Sequence, residues 1–280
     1  MFFVFGDLHG RVLPAFRLAT LWAREHKTPV RGILQAGDLG YFPDLNRLDK
    51  ATQRHAQSDP LELGIQDIVG PTPLADMIFN DPDCPLALWF TAGNHEDHDA
   101  LREQERVGLS ADQSTFPADF YRMVRCLRDG RVARLPQGLR VGALWGIDPD
   151  ARPRTPAAAR IDLQSVSRLA AESFDVLLAH DGPRDAIMPG AGSAAISTLL
   201  DSVGPVLAFF GHYGSPVREV ESLRGRTRVY HLSAFELHHR GGCADPGSCG
   251  ILRCNDSRWE FDYVADAWLS RFTRHTWPHW

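Results

Sequence analysis

The sequence predicts a soluble α/β protein, and three observations predict it. Five short runs are apolar at consecutive rather than alternate positions, the pattern of strands buried on both faces. Stretches with apolar residues at helical spacing lie among these runs. Each apolar run also stops at a glycine-bearing polar cluster, the pattern of a sheet whose strand ends gather at one edge.

Taken in order, residues 1–5 form a strand that ends at Gly6-Asp7-Leu8-His9-Gly10. Val12 to Glu25 follows as a helix, with Leu13, Phe16, Leu18, Leu21 and Trp22 on its apolar side. Residues 32–36 make a second strand ending at Gly37-Asp38. Residues 42–85, rich in Pro, Asp and Asn with only patchy periodicity, read as a partly helical insertion. Residues 86–91 form a third strand, ending at Gly93-Asn94-His95-Glu96, and residues 97–106 a short helix. Residues 107–120 read as loop. Strand-like pieces follow at 123–127, 132–135 and 139–145, with Asp129-Gly130 and Gln137-Gly138 as hairpin turns. After an exposed connection at 149–159, a helix over 162–173 leads to a strand at 175–179 that ends at His180-Asp181-Gly182-Pro183. A helix over 194–203 then leads to a strand at 206–210 that ends at Gly211-His212-Tyr213-Gly214. Residues 249–252 and 259–264 alternate as a late hairpin, and the aromatic stretch from Trp268 to Trp280 is expected to dock on the body.

With 280 residues, 44% hydrophobic and 23% charged, the chain can bury a sizeable core and is not of the disordered class. A net charge of −5 argues against wrapping nucleic acid on a broad basic surface. Only Lys27 and Lys50 are lysines, so nearly all positive charge is arginine. No apolar run reaches the length of about eighteen residues that a membrane span needs. The N-terminal run has no basic leader, so the protein is read as cytoplasmic, with its five cysteines reduced. Cys243, Cys249 and Cys254, with His238 and His239 nearby, either form a structural zinc site or are small apolar residues around the hairpin; their spacing is not that of common zinc modules.

The polar clusters carry the chemistry. Asp7 and His9, Asp38, Asn94 and His95, His180, and His212 each follow an apolar strand. Carboxylate, amide and imidazole donors converging at one sheet edge form the ligand set of a divalent transition-metal site. Each cluster alone is ordinary turn chemistry, but five in succession are not.

On these motifs the sequence resembles the calcineurin-like metallophosphoesterase family: Gly6-Asp7-Leu8-His9-Gly10, Gly37-Asp38, Gly93-Asn94-His95-Glu96, His180 before Asp181-Gly182-Pro183, and Gly211-His212, in that order. The resemblance implies a four-layer α/β/β/α sandwich of two mixed β-sheets flanked by helices. It also implies a pair of divalent ions, Mn²⁺, Fe²⁺/Fe³⁺ or Zn²⁺. Asp7 and His9 would bind the first ion, Asp38 would bridge both, and Asn94, His180 and His212 would complete the second. His95 would face the substrate as general acid, with Glu96 either orienting it or lying at the surface. The implied activity is hydrolysis of a phosphomonoester or phosphodiester of a small metabolite or nucleotide, by in-line attack of a metal-activated hydroxide. Because ligands from Asp7 to His212 must meet, residues 1–280 are expected to be one domain, elaborated at 42–85 and about 240–280.

Two departures qualify the resemblance. The family's usual Gly-His-x-His ends here in Gly214, which predicts a weaker first site unless another side chain, such as Asp44 or His231, fills the gap. The arginines that clamp phosphate in Ser/Thr phosphoprotein phosphatases are replaced by Leu39-Gly40-Tyr41-Phe42 and by Ala92, which disfavours that branch. Tyr41 and Phe42 are expected in the core. The alternative readings are a catalytically impaired scaffold of the same fold, motivated by Gly214, and a nucleic-acid phosphodiesterase resembling lariat-debranching enzymes.

Overall fold

The computed structural model describes residues 1–108, 113–149, 154–214, 219–221, 227–238, 240–255 and 258–280. In the first sheet, β1 (Phe2–Phe5), β2 (Gly32–Gln35), β3 (Leu88–Phe90) and β5 (Val124–Leu127) run parallel. Antiparallel β12 (Cys249–Asn255) and β13 (Arg258–Tyr263) extend it beyond β1, and β4 (Thr115–Pro117) closes the other side. In the second sheet, β7 (Arg140–Leu144), β8 (Val176–Ala179), β9 (Leu207–Phe210) and β11 (Arg228–His231) run parallel between antiparallel edges β6 (Arg131–Arg134) and β10 (Glu219–Glu221).

The wholly apolar strands are explained by burial on both faces. Phe2 and Val4 of β1 meet Leu178, Phe209 and Tyr230 between the sheets, while Phe3 and Phe5 pack outward against α1 (Val12–Glu25). In β9 the same alternation sends Leu207 and Phe209 inward, and Ala208 and Phe210 outward to α5 (Leu163–Ala170) and α6 (Ala194–Val203). The three apolar layers define an α/β/β/α sandwich. Each fully buried Phe in them contributes about 1.5–3 kcal/mol relative to exposure.

Residues 42–85 hold α2 (Lys50–Ala56), α3 (Pro73–Phe79) and an eight-residue 3₁₀ stretch, Pro60–Asp67. Asp49, Asp59 and Thr72 cap these segments with side-chain oxygens, which replaces the missing helical periodicity as the local signal. Ile65, Ile68, Ala75 and Ile78 join the core beside α1. The helix after β3 is α4 (His98–Gly108).

Three expectations are corrected. The 107–120 region, expected to be loop, contains β4, because Phe116 alternates into the core and pairs with Cys126. Asp129-Gly130 does not turn a hairpin but carries the chain from the first sheet to the second. The residues after 240 are more than an elaboration, since β12 pairs directly with β1, Leu252 opposite Phe2. The aromatic tail docks as expected, with Phe272 and Trp277 buried in the core beside α1. The five cysteines form no disulfide, and no candidate metal group among the described residues contains one; His239 lies outside those residues. Among the described residues, no helix is long and apolar enough to cross a membrane.

Candidate metal centre

The site lies where the carboxyl ends of both sheets' parallel strands meet. Asp7 follows β1, Asp38 follows β2, Asn94 and His95 follow β3, His180 follows β8 and His212 follows β9. The level register, Phe5 opposite Gln35 and Gln35 opposite Phe90, brings these ends to one height. His9, Asp38 and His212 adopt left-handed backbone, with φ of 41°, 53° and 71°. Such strain is held only where surrounding structure over-determines it, and it clusters at functional sites. Gly93 and Gly211 admit the carboxylates, because a methyl at either would collide with Asp38 Oδ1 or Asp7 Oδ1.

Two groups of donors converge, Asp7 with His9 and Asp38, and Asp38 with His180 and His212. Asp38 belongs to both. Asp38 Oδ2 lies 3.1 Å from His180 Nε2, which faces His212 Nδ1 at 3.2 Å. His180 Nδ1 donates to the Ala36 carbonyl at 3.0 Å, which fixes the tautomer that leaves Nε2 as the available ligand atom. Asp7 accepts from the His212 amide at 3.1 Å, and its Oδ2 is 4.0 Å from His9 Nε2. Asn94 Oδ1 is buried without a hydrogen-bond partner among the described residues. An orphaned amide oxygen costs free energy unless something such as a cation takes it. The residues therefore fit a pair of divalent ions.

The electrostatics agree. Burial favours neutral carboxyls and pushes Asp7 up, but His180, His95 and His9 outweigh burial at Asp38 and hold it well below the usual range. Burial opposes charge on His180, yet Asp38 and Asp7 raise it to about 10. The negative field of Asp38 and Asp7 that favours positive charge on His180 would equally favour a divalent cation, which would displace the His180 Nε2 proton on binding.

All seven sequence-predicted residues thus gather at this edge, but their supports differ from expectation. Glu96 does not orient His95. It is buried, and its carboxylate accepts from the amides of Leu39 at 2.8 Å and Tyr41 at 2.5 Å, so it shapes the loop after Asp38. Burial and then Asp38 push it up to about 8. The partner of His95 is Asp49, whose Oδ2 lies 2.5 Å from Nδ1 while Oδ1 caps α2 through the Thr52 amide at 2.7 Å. An N-cap pattern before Lys50-Ala51-Thr52 was the available signal for Asp49. The space around Gly214 is open, and neither proposed substitute fills it. Asp44 caps the 3₁₀ turn Leu45–Arg47 and His231 is buried against Phe210, and neither belongs to either donor group. Tyr213 instead turns its hydroxyl to donate to Asp181.

A cavity of about 590 Å³ opens beside Asn94 and His95. Phe42, Ile147 and Pro156 supply an apolar wall, and Arg47, Lys50 and Arg154 supply positive charge. Arg47 is neutralised by Asp97 at 2.6 Å and Asp99 at 2.7 Å, whereas Lys50 and Arg154 have no ion pair among the described residues. Tyr41 and Phe42 are both buried as expected, although Phe42 also reaches this wall.

No family model matches the sequence, and no curated protein does. Solved structures are similar to it. One is similar over 94% of this chain and 98% of its own length, with a TM-score of 0.54 and 16% identity. Another, TT1561 of Thermus thermophilus, is similar over 94% of this chain and 99% of its own, with a TM-score of 0.48 and 13% identity. At 16% identity the first of these likenesses establishes the fold alone, α/β with two mixed sheets.

Proposed function

We propose that this protein is a metal-dependent phosphoesterase of the calcineurin-like metallophosphoesterase type, acting on a small phosphorylated metabolite or nucleotide. The observation that carries the reading is the pair of donor groups sharing Asp38. A carboxylate common to two groups is what holds two cations together against their repulsion. The donor set of imidazole, carboxylate and amide suits Mn²⁺, Fe²⁺/Fe³⁺ or Zn²⁺. Bound there, such ions would offset phosphoryl charge and acidify the attacking water.

The chain's own residues do the rest. Asp7, Asp38, His9, His180, His212 and Asn94 hold the cations. Asp49 fixes the His95 ring through Nδ1, leaving Nε2 as the position from which a proton reaches the leaving oxygen. The apolar wall of Phe42, Ile147 and Pro156 takes the organic part of the substrate and excludes water, while Lys50 and Arg154 attract its charge.

The test is turnover of p-nitrophenyl phosphate and bis(p-nitrophenyl) phosphate with and without Mn²⁺. Metal-dependent release of nitrophenolate, lost in His95→Ala with metal retained, is the expected result. Gly214 motivates the second reading, a fold kept for binding. Metal uptake without hydrolysis of either ester would favour it.

A further inference from the structure

We propose that Glu236 completes the first cation site in place of the ligand missing at Gly214, and that His238 positions it. This rests on the metal-centre reading above. Glu236 lies on the loop that follows β11, another parallel strand whose carboxyl end reaches the same edge. Its Oε1 is 3.6 Å from His9 Nε2, on top of the 4.0 Å that separates that nitrogen from Asp7 Oδ2. At 3.6 Å the pair is too far apart for a hydrogen bond. Two donors bound to one ion at about 2.1 Å each sit roughly 3–4 Å apart, the separation Glu236 keeps from His9. Glu236 stands outside the two donor groups as they lie, so its carboxylate would swing toward Asp7 to join the ion.

The loop is built to present this carboxylate. The Phe235 amide donates to the Asp7 carbonyl at 2.7 Å, and the Phe235 ring packs on Phe5 with centroids 5.0 Å apart. Leu237 is fully buried in left-handed backbone at φ 54°, a conformation unfavourable for a bulky side chain. The two anchors flank Glu236 in the sequence and pin it beside Asp7. The other carboxylate oxygen, Oε2, lies within ion-pair range of His238 Nδ1, at 3.3 Å. His238 Nε2 is in turn 2.9 Å from Asp59 Oδ2, which Arg11 at 2.7 Å and Arg274 at 2.8 Å also hold. A carboxylate–imidazole–carboxylate chain of this kind orients a ligand and is commonly worth about 10–100-fold in metal affinity. It also ties the 42–85 segment and the tail to the site. A cavity of about 100 Å³ lined by His9, His95 and Glu236 leaves room for the ion and its waters.

The experiment is calorimetric titration of the metal-free full chain with Mn²⁺ alone, with stoichiometry checked by elemental analysis. Wild type is expected to bind two equivalents. In Glu236→Ala one equivalent should weaken at least tenfold while the other keeps its affinity, with an unchanged circular-dichroism spectrum; the near-isosteric Glu236→Gln should fall between. His238→Ala should weaken the same equivalent about tenfold, and His238→Asn, which restores a donor to Oε2, should recover most of it. Two equivalents of unaltered affinity in Glu236→Ala would overturn the role of Glu236 and leave the proposed function standing. No uptake by wild type would overturn both.

Discussion

Asp49→Asn is the sharpest single-residue test of how the site works. The two oxygens of Asp49 have separate tasks, Oδ1 capping α2 and Oδ2 receiving His95 Nδ1. Asparagine caps helices as well as aspartate does, so the fold survives. At the Oδ2 position, however, an NH₂ group would face the Nδ1 proton, replacing an attraction with two opposed donors. A hydrogen bond to a charged group is worth about 1.5–3 kcal/mol. The side chains are 30% and 32% exposed, so the lower half of that range applies. At about 1.4 kcal/mol per decade, kcat/KM should fall roughly 10- to 40-fold. The assay is steady-state hydrolysis of bis(p-nitrophenyl) phosphate in Mn²⁺, with bound metal counted in parallel. Metal content should not change. A kcat/KM within twofold of wild type, or a loss that tracks lost metal, would refute the assigned roles of Asp49 and His95.

Other outcomes follow from the same structure. Arg11 is fully buried against Asp59 at 2.7 Å and Glu62 at 3.0 Å. Arg11→Met leaves both carboxylates without that charge and should cost about 3 kcal/mol in urea unfolding, the low end for a broken buried pair because Arg274 still serves Asp59; a loss under about 1 kcal/mol would place the pair among surface bridges. Burial alone would raise the Asp59 carboxyl, but Arg11 and His238 hold it below its ordinary 3.8. Its stabilisation is therefore present above pH 3.8 and is lost as pH falls through the lower folded value, so the urea midpoint of Asp59→Asn should lose less on acidification than that of wild type. Lys50→Ala and Arg154→Ala should each raise KM about two- to fivefold for esters carrying a second anionic group, as exposed charge pairs do, with little change for p-nitrophenyl phosphate. Equal effects on both substrates would remove these side chains from substrate recognition.

What the sequence disclosed, and what it hid, follows from the range of the interactions. The strands were legible because both faces of β1, β8 and β9 are buried, leaving nothing polar to interrupt the run. The clusters after them were legible because turn glycines and ligands sit within a few residues of each strand end. Pairing was not legible, since Phe2 meets Leu252 across 250 residues of sequence. β4 was missed because three residues with one inward side chain, Phe116, carry too little pattern. Asp49 and Glu236 were missed for a different reason. Each acts on a site residue 46 or 227 positions away, His95 or His9, and neither lies in a motif. The strand before Glu236, with Val229 and Tyr230 followed by Leu232, was a signal that the glycine-bearing pattern of the other strand ends obscured. Glu96 shows the converse error, for adjacency to His95 suggested a contact that the backbone directs elsewhere.

In the proposed centre Asp38 would join two cations. Electron paramagnetic resonance of the protein titrated with Mn²⁺ tests it most directly. Wild type is expected to bind two equivalents with the multiline spectrum of a spin-coupled pair, replaced in Asp38→Asn by uncoupled or absent metal. Two uncoupled ions in wild type, or none bound, would contradict it.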